Sequence, residues 1–372
     1  MKFTADRVSL LKVLTTVNVA IGQKSPTPAF LNFKITMSDE GLQVLGSDND
    51  LTITSVLPIK DGDKELITDY STGSTLISAK YLIEIIRKLE GDKVTVEIID
   101  EVIAQISDLK SNFKLNSMKS EEYPNLDLMI IGENVELKAE EFKKVISQTS
   151  FAASTKEIRL ILTAINVKSE NGIASFVATD SYRLAKKTAN IEANDFETNI
   201  PVKTLVEVSK LIEDNDVTMY VASNKVVFKF GRTVIYSRVI AGDFPKTSRM
   251  IPTKYPYELK VNASKFIDAM ARVSLLSVER ERIVKLSMND DNVEISSKSE
   301  QIGSANESID LYEYSGGRFN ISFNVDYVSD AIKATQSEDV ILAFAGEMNA
   351  FKITAPGDDT LVQIITPVRS YY

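Results

Sequence analysis

Ser78-Ala-Lys-Tyr-Leu82, Pro201-Val-Lys-Thr-Leu205 and Asn324-Val-Asp-Tyr-Val328 are three versions of one phrase, and each begins 123 residues after the one before. The step continues downstream, where Lys93-Val94, Asp216-Val217 and Asp339-Val340 each open an alternating apolar run at the same spacing. The register therefore spans a helix start and the strand that follows it, and a fixed period marks repeated structural units. A chain of 372 residues accommodates three such units, since single hydrophobic cores stop growing at roughly 250 to 300 residues.

Around these anchors the apolar period changes between 3.6 and 2. Two helices are expected per unit, the first at 5–20, 138–153 and 263–282, the second at 78–90, 201–213 and 325–336. Leu82, Ile85, Ile86 and Leu89 form one helical stripe, and Leu205, Val208, Leu211 and Ile212 another. Strands are expected at Val94, Val96 and Ile98, at Val217, Met219 and Val221, at Val227, Phe228 and Phe230, at Val340, Leu342 and Phe344, and at Phe351 and Ile353. Turn chemistry stands at Asp61-Gly62, Asn171-Gly172, Ser315-Gly-Gly317 and Pro356-Gly357. One-striped helices beside antiparallel strands predict an α+β fold of three similar domains, each with helices packed on sheets. We place them at 1–127, 128–252 and 253–372, because Tyr123-Pro-Asn-Leu126 and Phe244-Pro245 through Pro252 interrupt the pattern at matching points.

Composition narrows the chemistry. The chain has no cysteine and no histidine, which removes disulfides, thiolate and imidazole metal ligands, and Ser-His and Cys-His nucleophile pairs. No Gly-Lys pair supplies a Walker-type phosphate loop. The acidic groups Ser47-Asp-Asn-Asp50, Asp61-Gly-Asp63 and Asp290-Asp291 read as turns, since Asp, Asn and Gly are what turns require. An enzyme would have to work with carboxylates, lysine or tyrosine alone, and nothing singles out a catalytic pair; no metal or cofactor is expected. The charged opening Met1-Lys-Phe-Thr-Ala-Asp-Arg7, and the lack of any apolar run of membrane-spanning length, lead to the expectation of a soluble cytoplasmic protein with no membrane partner.

The net charge is −9, which argues against an indiscriminate grip on nucleic acid. Its distribution is uneven. The six helical windows together carry +3, leaving −12 for the rest of the chain. If the helices share one side, they offer a mildly basic layer suited to a phosphate backbone.

Repeats also permit comparison between copies. Where the first copy has Gly46-Ser-Asp-Asn-Asp-Leu51, the second has Ala178-Thr-Asp-Ser-Tyr-Arg-Leu-Ala185. The motifs Thr179-Asp-Ser-Tyr-Arg-Leu-Ala185, Gly242-Asp-Phe-Pro245 and Thr366-Pro-Val-Arg369, with the opening Met1-Lys-Phe-Thr4, resemble the bacterial DNA polymerase III β subunit family, the replicative sliding clamps. The resemblance runs over essentially the whole chain. It implies a non-enzymatic processivity factor: a head-to-tail homodimer closed into a ring, helices lining the hole, duplex DNA passing through it.

Carried over by position, the resemblance implies a peptide-binding cleft at Leu162, Thr179, Ser181, Tyr182, Arg183, Leu184, Pro245, Arg249, Met250, Met348, Ala350, Ile365, Thr366, Pro367, Val368 and Arg369. Its expected occupants are short Leu- and Phe-rich motifs of the polymerase III catalytic subunit, the clamp loader and repair proteins. Tyr182 stands where some family members have histidine, and the chain continues past Arg369 as Ser370-Tyr371-Tyr372. DNA contacts are expected at Lys24, Lys80, Arg87, Lys156 and Lys203, and subunit contacts at Phe113, Leu115, Leu275 and Leu276. Those last four also suit ordinary core positions, and both readings stand at this point. The alternative for the whole chain is a ring-shaped scaffold that binds partner peptides without nucleic acid.

Overall fold

The computed structural model describes residues 1–277, 282–310 and 312–369. Its helices are α1 (Arg7–Asn18), α2 (Ala79–Lys88), α3 (Ala139–Thr149), α4 (Val202–Leu211), α5 (Ala263–Val273) and α6 (Val325–Thr335). Each lies inside its expected window and is shorter than it, for local reasons. Residues 5 and 6 end a strand, Lys2–Asp6, and Asp6 caps α1 by accepting the Ser9 N–H at 2.9 Å. Asn262 and Asn324 cap α5 and α6 in the same way.

The largest departure is at α5, expected to run to 282. The Ser297 hydroxyl donates to the Val273 carbonyl at 2.6 Å and that of Ser274 donates to Ala271 at 3.0 Å. These bonds take carbonyls that a further turn would use. A short 3-10 turn, Ser274–Leu276, follows, and residues 278–281 of that window lie outside those described.

The chain forms two compact units. One comprises Met1–Ala139 with Glu207–Val239, the other Glu140–Val206 with the chain from Ile240. The first holds a 13-stranded sheet and a two-stranded ribbon; the second holds sheets of nine and four strands. Every strand pairing described is antiparallel. Residues 48–50, 62–63 and 290–291 fall in connections between paired strands, and Ser47 and Asp61 end the strands that lead into the first two.

Both large sheets are built from strands far apart in sequence. In the first unit Leu51–Leu57 pairs with Thr233–Arg238, Thr52 facing Tyr236. In the second, Arg183–Asn190 pairs with Leu361–Ile365, Leu184 facing Ile364. Helices cover the sheets. Of the two stripes read from the sequence, Leu82, Ile86 and Leu89 and Leu205, Val208 and Ile212 are buried, whereas Ile85 and Leu211 are half-buried and Ile83 is buried instead of Ile85. Leu10, Leu14 and Val17 of α1 and Val328 and Ile332 of α6 are buried as well. Each such aliphatic side chain contributes about 1.5 to 3 kcal/mol by leaving water. Phe319, Phe344 and Phe351 continue the second unit's core, with neighbouring ring centroids 5.3 and 5.2 Å apart.

Candidate partner cleft, basic helices and subunit edge

Within the second unit, the connection from strand Ile173–Thr179 to strand Arg183–Asn190 is a tight turn held by its own side chains. The Asp180 carboxylate accepts the N–H groups of Tyr182 and Arg183 at 2.9 and 3.0 Å, and the Thr179 hydroxyl donates to the Arg183 carbonyl at 2.6 Å. Ser181 takes φ +81° to close it. An Asp side chain that mimics a backbone acceptor makes such turns favourable. As a result Tyr182 projects outward, 60% exposed, with its ring stacked on Tyr327 at 6.3 Å.

Arg183 is directed elsewhere. Its Nη1 donates to Asp330 at 2.6 Å and its Nε to Asp180 at 3.1 Å, while its guanidinium lies 4.7 Å from the Tyr327 ring centroid and 5.3 Å from that of Phe151. Burial, with Asp180 nearby, pushes the Tyr327 hydroxyl above its usual range despite Arg183. Arg183 thus braces the turn from behind.

Beside this turn lies an apolar patch. Val177, Leu184 and Ile364 form its floor, with Phe244, Met250, Ile251, Ala350 and Val362 packed against them. The C-terminal segment borders it: Thr366 donates to the Tyr182 carbonyl through its N–H at 2.9 Å and its hydroxyl at 2.7 Å, and the Val368 N–H donates to Ser322 at 2.8 Å. A groove of about 250 Å³ adjoins Val368 and Met348, lined also by Ile321, Glu347 and Lys285.

The structure therefore gathers Thr179, Ser181, Tyr182, Leu184, Met250, Ala350 and Thr366 around one floor. Leu162, Thr179, Leu184 and Ile365 are buried. Pro245 and Arg249 lie on the segment leading to Met250, Arg249 exposed on the 3-10 turn Thr247–Met250. Pro367 and Arg369 end the described chain; Tyr371 and Tyr372 lie outside the described residues. The contributions of Asp330, Tyr327 and Phe151 escaped the sequence reading, although Tyr327 stands in the repeated phrase at 324–328.

The six helices as built carry a net +5 within a chain of −9. Lys24, Lys80, Lys156 and Lys203 are exposed, and among the described residues none forms an ion pair. Arg87 differs, being paired with Glu84 at 2.7 Å.

Strand Asn112–Met118 pairs with Ile103–Ser107 along its length, but on its other side only Ser117 and Met118 have a strand partner. Its apolar residues are accordingly not core: Phe113 is 40% exposed and Leu115 half-buried. Among the described residues, strand Gly303–Ser308 likewise pairs only with Val293–Ser299. Leu275, in the turn after α5, is 77% exposed and Leu276 half-buried.

Comparison with known proteins gives one answer over the full length. The family models described as the DNA polymerase III beta subunit N-terminal, central and C-terminal domains match residues 1–127, 136–246 and 248–369. Proteins described as beta sliding clamps from Bacillus subtilis and Staphylococcus aureus are 36% and 33% identical, with all of each chain covered. The crystal structure of the Bacillus subtilis DNA polymerase sliding clamp superimposes with a TM-score of 0.95 at 36% identity, covering 100% of both chains. That of the Streptococcus pneumoniae DNA polymerase III beta chain gives 0.95 at 30%, covering 99% of this chain and 100% of that one. No helix among the described residues is long and apolar enough to cross a membrane. The basic helices, the pair of long-range sheet junctions and these full-length matches agree, and the chain belongs to the DNA polymerase III beta subunit family of sliding clamps.

Proposed function

We propose that the protein is a DNA sliding clamp that acts as a head-to-tail dimer, a ring of six domains (1–127, 128–252 and 253–372 from each copy) around duplex DNA, tethering the replicative polymerase. Retention on DNA then depends on closure, and weak phosphate contacts from Lys24, Lys80, Arg87, Lys156 and Lys203 permit movement along it.

One observation carries this reading: the chain contains the same sheet junction twice, and half of a third at each end. Leu51–Leu57 joined to Thr233–Arg238 and Arg183–Asn190 joined to Leu361–Ile365 have one register. In both, the strand's last N–H bonds to a turn carbonyl at 2.9 Å, Arg238 to Asp50 and Thr366 to Tyr182. Counting along the paired strands, Gly303–Ser308 corresponds to the first member of each junction and Asn112–Met118 to the second. Among the described residues, Gly303–Ser308 and residues 112–116 have no strand partner on that side within one chain. A second copy supplies each with the missing partner, and two such contacts close a cycle.

The register transfers as well. Tyr236 facing Thr52 and Ile364 facing Leu184 set Lys114 of one copy opposite Ser304 of the other, and Phe113 opposite Ala305. Phe113 then takes the place that Ile235 and Gln363 occupy in the internal junctions, where both are buried. Leu275 and Leu276 follow α5 in the same third domain as Gly303–Ser308 and supply the apolar cover.

The cleft reading rests on the apolar floor beside Tyr182. Two buried anchors at roughly 1.5 to 3 kcal/mol each and a few hydrogen bonds at about 1 kcal/mol each give a modest gross gain, and with ordering counted against it the affinity is micromolar or weaker. Such affinity suits exchange among the polymerase III catalytic subunit, the clamp loader and repair proteins on one ring. The decisive experiment is loading: rings on closed circular DNA should resist salt that strips the protein from linear DNA, whereas equal loss from both substrates contradicts encirclement.

A further inference from the structure

The segment between the first and second family matches, from Leu128 to Val135, is covered by neither. It contains four consecutive exposed apolar residues: Leu128 36%, Met129 65%, Ile130 40% and Ile131 46% exposed. Scattered apolar side chains on a surface are ordinary, but a contiguous run marks an interaction site.

The second linker explains why this run is uncovered. Tyr123-Pro124 corresponds to Phe244-Pro245, and Met129 stands six residues after Tyr123 as Met250 does after Phe244. In the second linker Phe244, Met250 and Ile251 lie on Val177, Leu184 and Ile364. In the first, Tyr123 is likewise buried, against Phe30, Leu45 and Leu76. Beyond it the floor changes character. Thr52 holds the register position of Leu184, Tyr236 that of Ile364, and Lys225 that of Ala350. Lys225 is nearly buried and bonds Asp127 at 2.7 Å. A threonine, a tyrosine and an ion pair offer no apolar bed, so Leu128–Ile131 stays at the surface.

Two further features define what fits there. The chain from Ser120 to Glu136 holds five carboxylates and neither lysine nor arginine; Asp127 is engaged by Lys225, while Glu121, Glu122 and Glu136 are exposed and would face a partner. The run leads directly into strand Glu133–Leu137, an end strand of the 13-stranded sheet whose strand partner among the described residues is Val217–Val221. Among the described residues the N–H groups of Leu128, Ile130 and Ile131 have no backbone acceptor.

We propose that Leu128–Ile131 with the outer edge of residues 134–137 is a second docking surface, chemically distinct from the cleft, for a basic extended segment of a partner protein that adds to the sheet as a strand. Strand addition supplies main-chain hydrogen bonds, alternate apolar side chains meet the exposed run, and lysines or arginines between them face the carboxylates. Docking here requires neither ring closure nor the cleft.

The test uses the full chain and two fluorescein-labelled peptides, one alternating valine with lysine and one alternating valine with glutamate, followed by fluorescence anisotropy and by hydrogen exchange of the protein. The lysine peptide should bind and the glutamate peptide should not, with slowed exchange at residues 128–137. The triple variant Met129→Ser, Ile130→Ser, Ile131→Ser should weaken binding at least about tenfold. The surface variant Glu121→Gln, Glu136→Gln, which leaves the apolar run intact, should weaken it several-fold and flatten its salt dependence. Truncation after Thr366 should leave it unchanged. Equal binding of both peptides, indifference to both variants, or protection at the cleft instead of 128–137 would overturn the proposal.

Discussion

Asp48 and Asp180 hold the same turn in two different domains. Asp48 accepts the N–H groups of Asp50 and Leu51 at 3.0 and 2.8 Å, as Asp180 accepts those of Tyr182 and Arg183 at 2.9 and 3.0 Å. Asn49 and Ser181, the residues that follow, share φ +81°. Only Asp180 also bonds an arginine, at 3.1 Å, and only its turn displays a tyrosine over an apolar floor. Replacing either with alanine should cost about 1 kcal/mol for each net hydrogen bond removed, measured by urea unfolding. Asp180→Ala alone should weaken a cleft peptide, by several-fold in anisotropy. Equal effects of Asp48→Ala and Asp180→Ala on the peptide would remove the turn from the cleft.

Truncation after Thr366 keeps the two bonds to Tyr182 and removes Pro367, Val368 and Arg369, including the bond from Val368 to Ser322. The protein should unfold at nearly the wild-type urea midpoint yet lose measurable affinity for a Leu- and Phe-rich peptide. Retained affinity would place the peptide elsewhere.

Acid should loosen the second unit at a definable point. Burial pushes the Asp358 carboxyl up, but bonds from Thr360 and Lys187 outweigh it and bring it down to about 2. Lys187, almost buried, thereby ties strand Arg183–Asn190 to the turn before strand Leu361–Ile365. Since this carboxyl is more acidic folded than unfolded, its contribution, about 2 kcal/mol, is complete above about pH 4 and is lost as pH falls toward 2. Asp6, also held near 2 by Ser9 and Lys64 against burial, acts over the same window. Comparison with Asp358→Asn therefore isolates the effect: the variant should lose less stability than wild type between pH 5 and pH 3. Parallel losses would mean that the ion pair contributes nothing.

Lys24 and Lys156 form no ion pair among the described residues, so their charge is available to phosphates. Lys24→Gln with Lys156→Gln should weaken binding to linear DNA and reduce the slope of log affinity against log salt by about 0.9 for each phosphate no longer neutralised. Peptide binding should persist. An unchanged slope would exclude these lysines and favour the scaffold reading.

The period of 123 and the apolar stripes were enough to locate all six helices, because each helix is defined by residues near one another in sequence. Helix ends were less legible: α5 stops where Ser297, two dozen residues downstream, takes the Val273 carbonyl. Strand partners across a junction were not legible at all, since nothing near Leu184 announces Ile364. The same holds for Arg183, which reads as a cleft side chain but is directed by Asp330, 147 residues on. Phe113 shows the converse. Its alternation suits a core position and an edge equally, and the pairing of strand Asn112–Met118 leaves it exposed on the unpaired side.

Ring closure through a third copy of the internal junction doubles the mass in solution. Sedimentation equilibrium at micromolar concentration should give twice the chain mass of 41.3 kDa, and Phe113→Arg should return it to a single chain without loss of fold. In the naturally cysteine-free chain, Lys114→Cys with Ser304→Cys should join two copies covalently on oxidation. A wild-type mass of 41.3 kDa, with no cross-link between 114 and 304, would contradict the account.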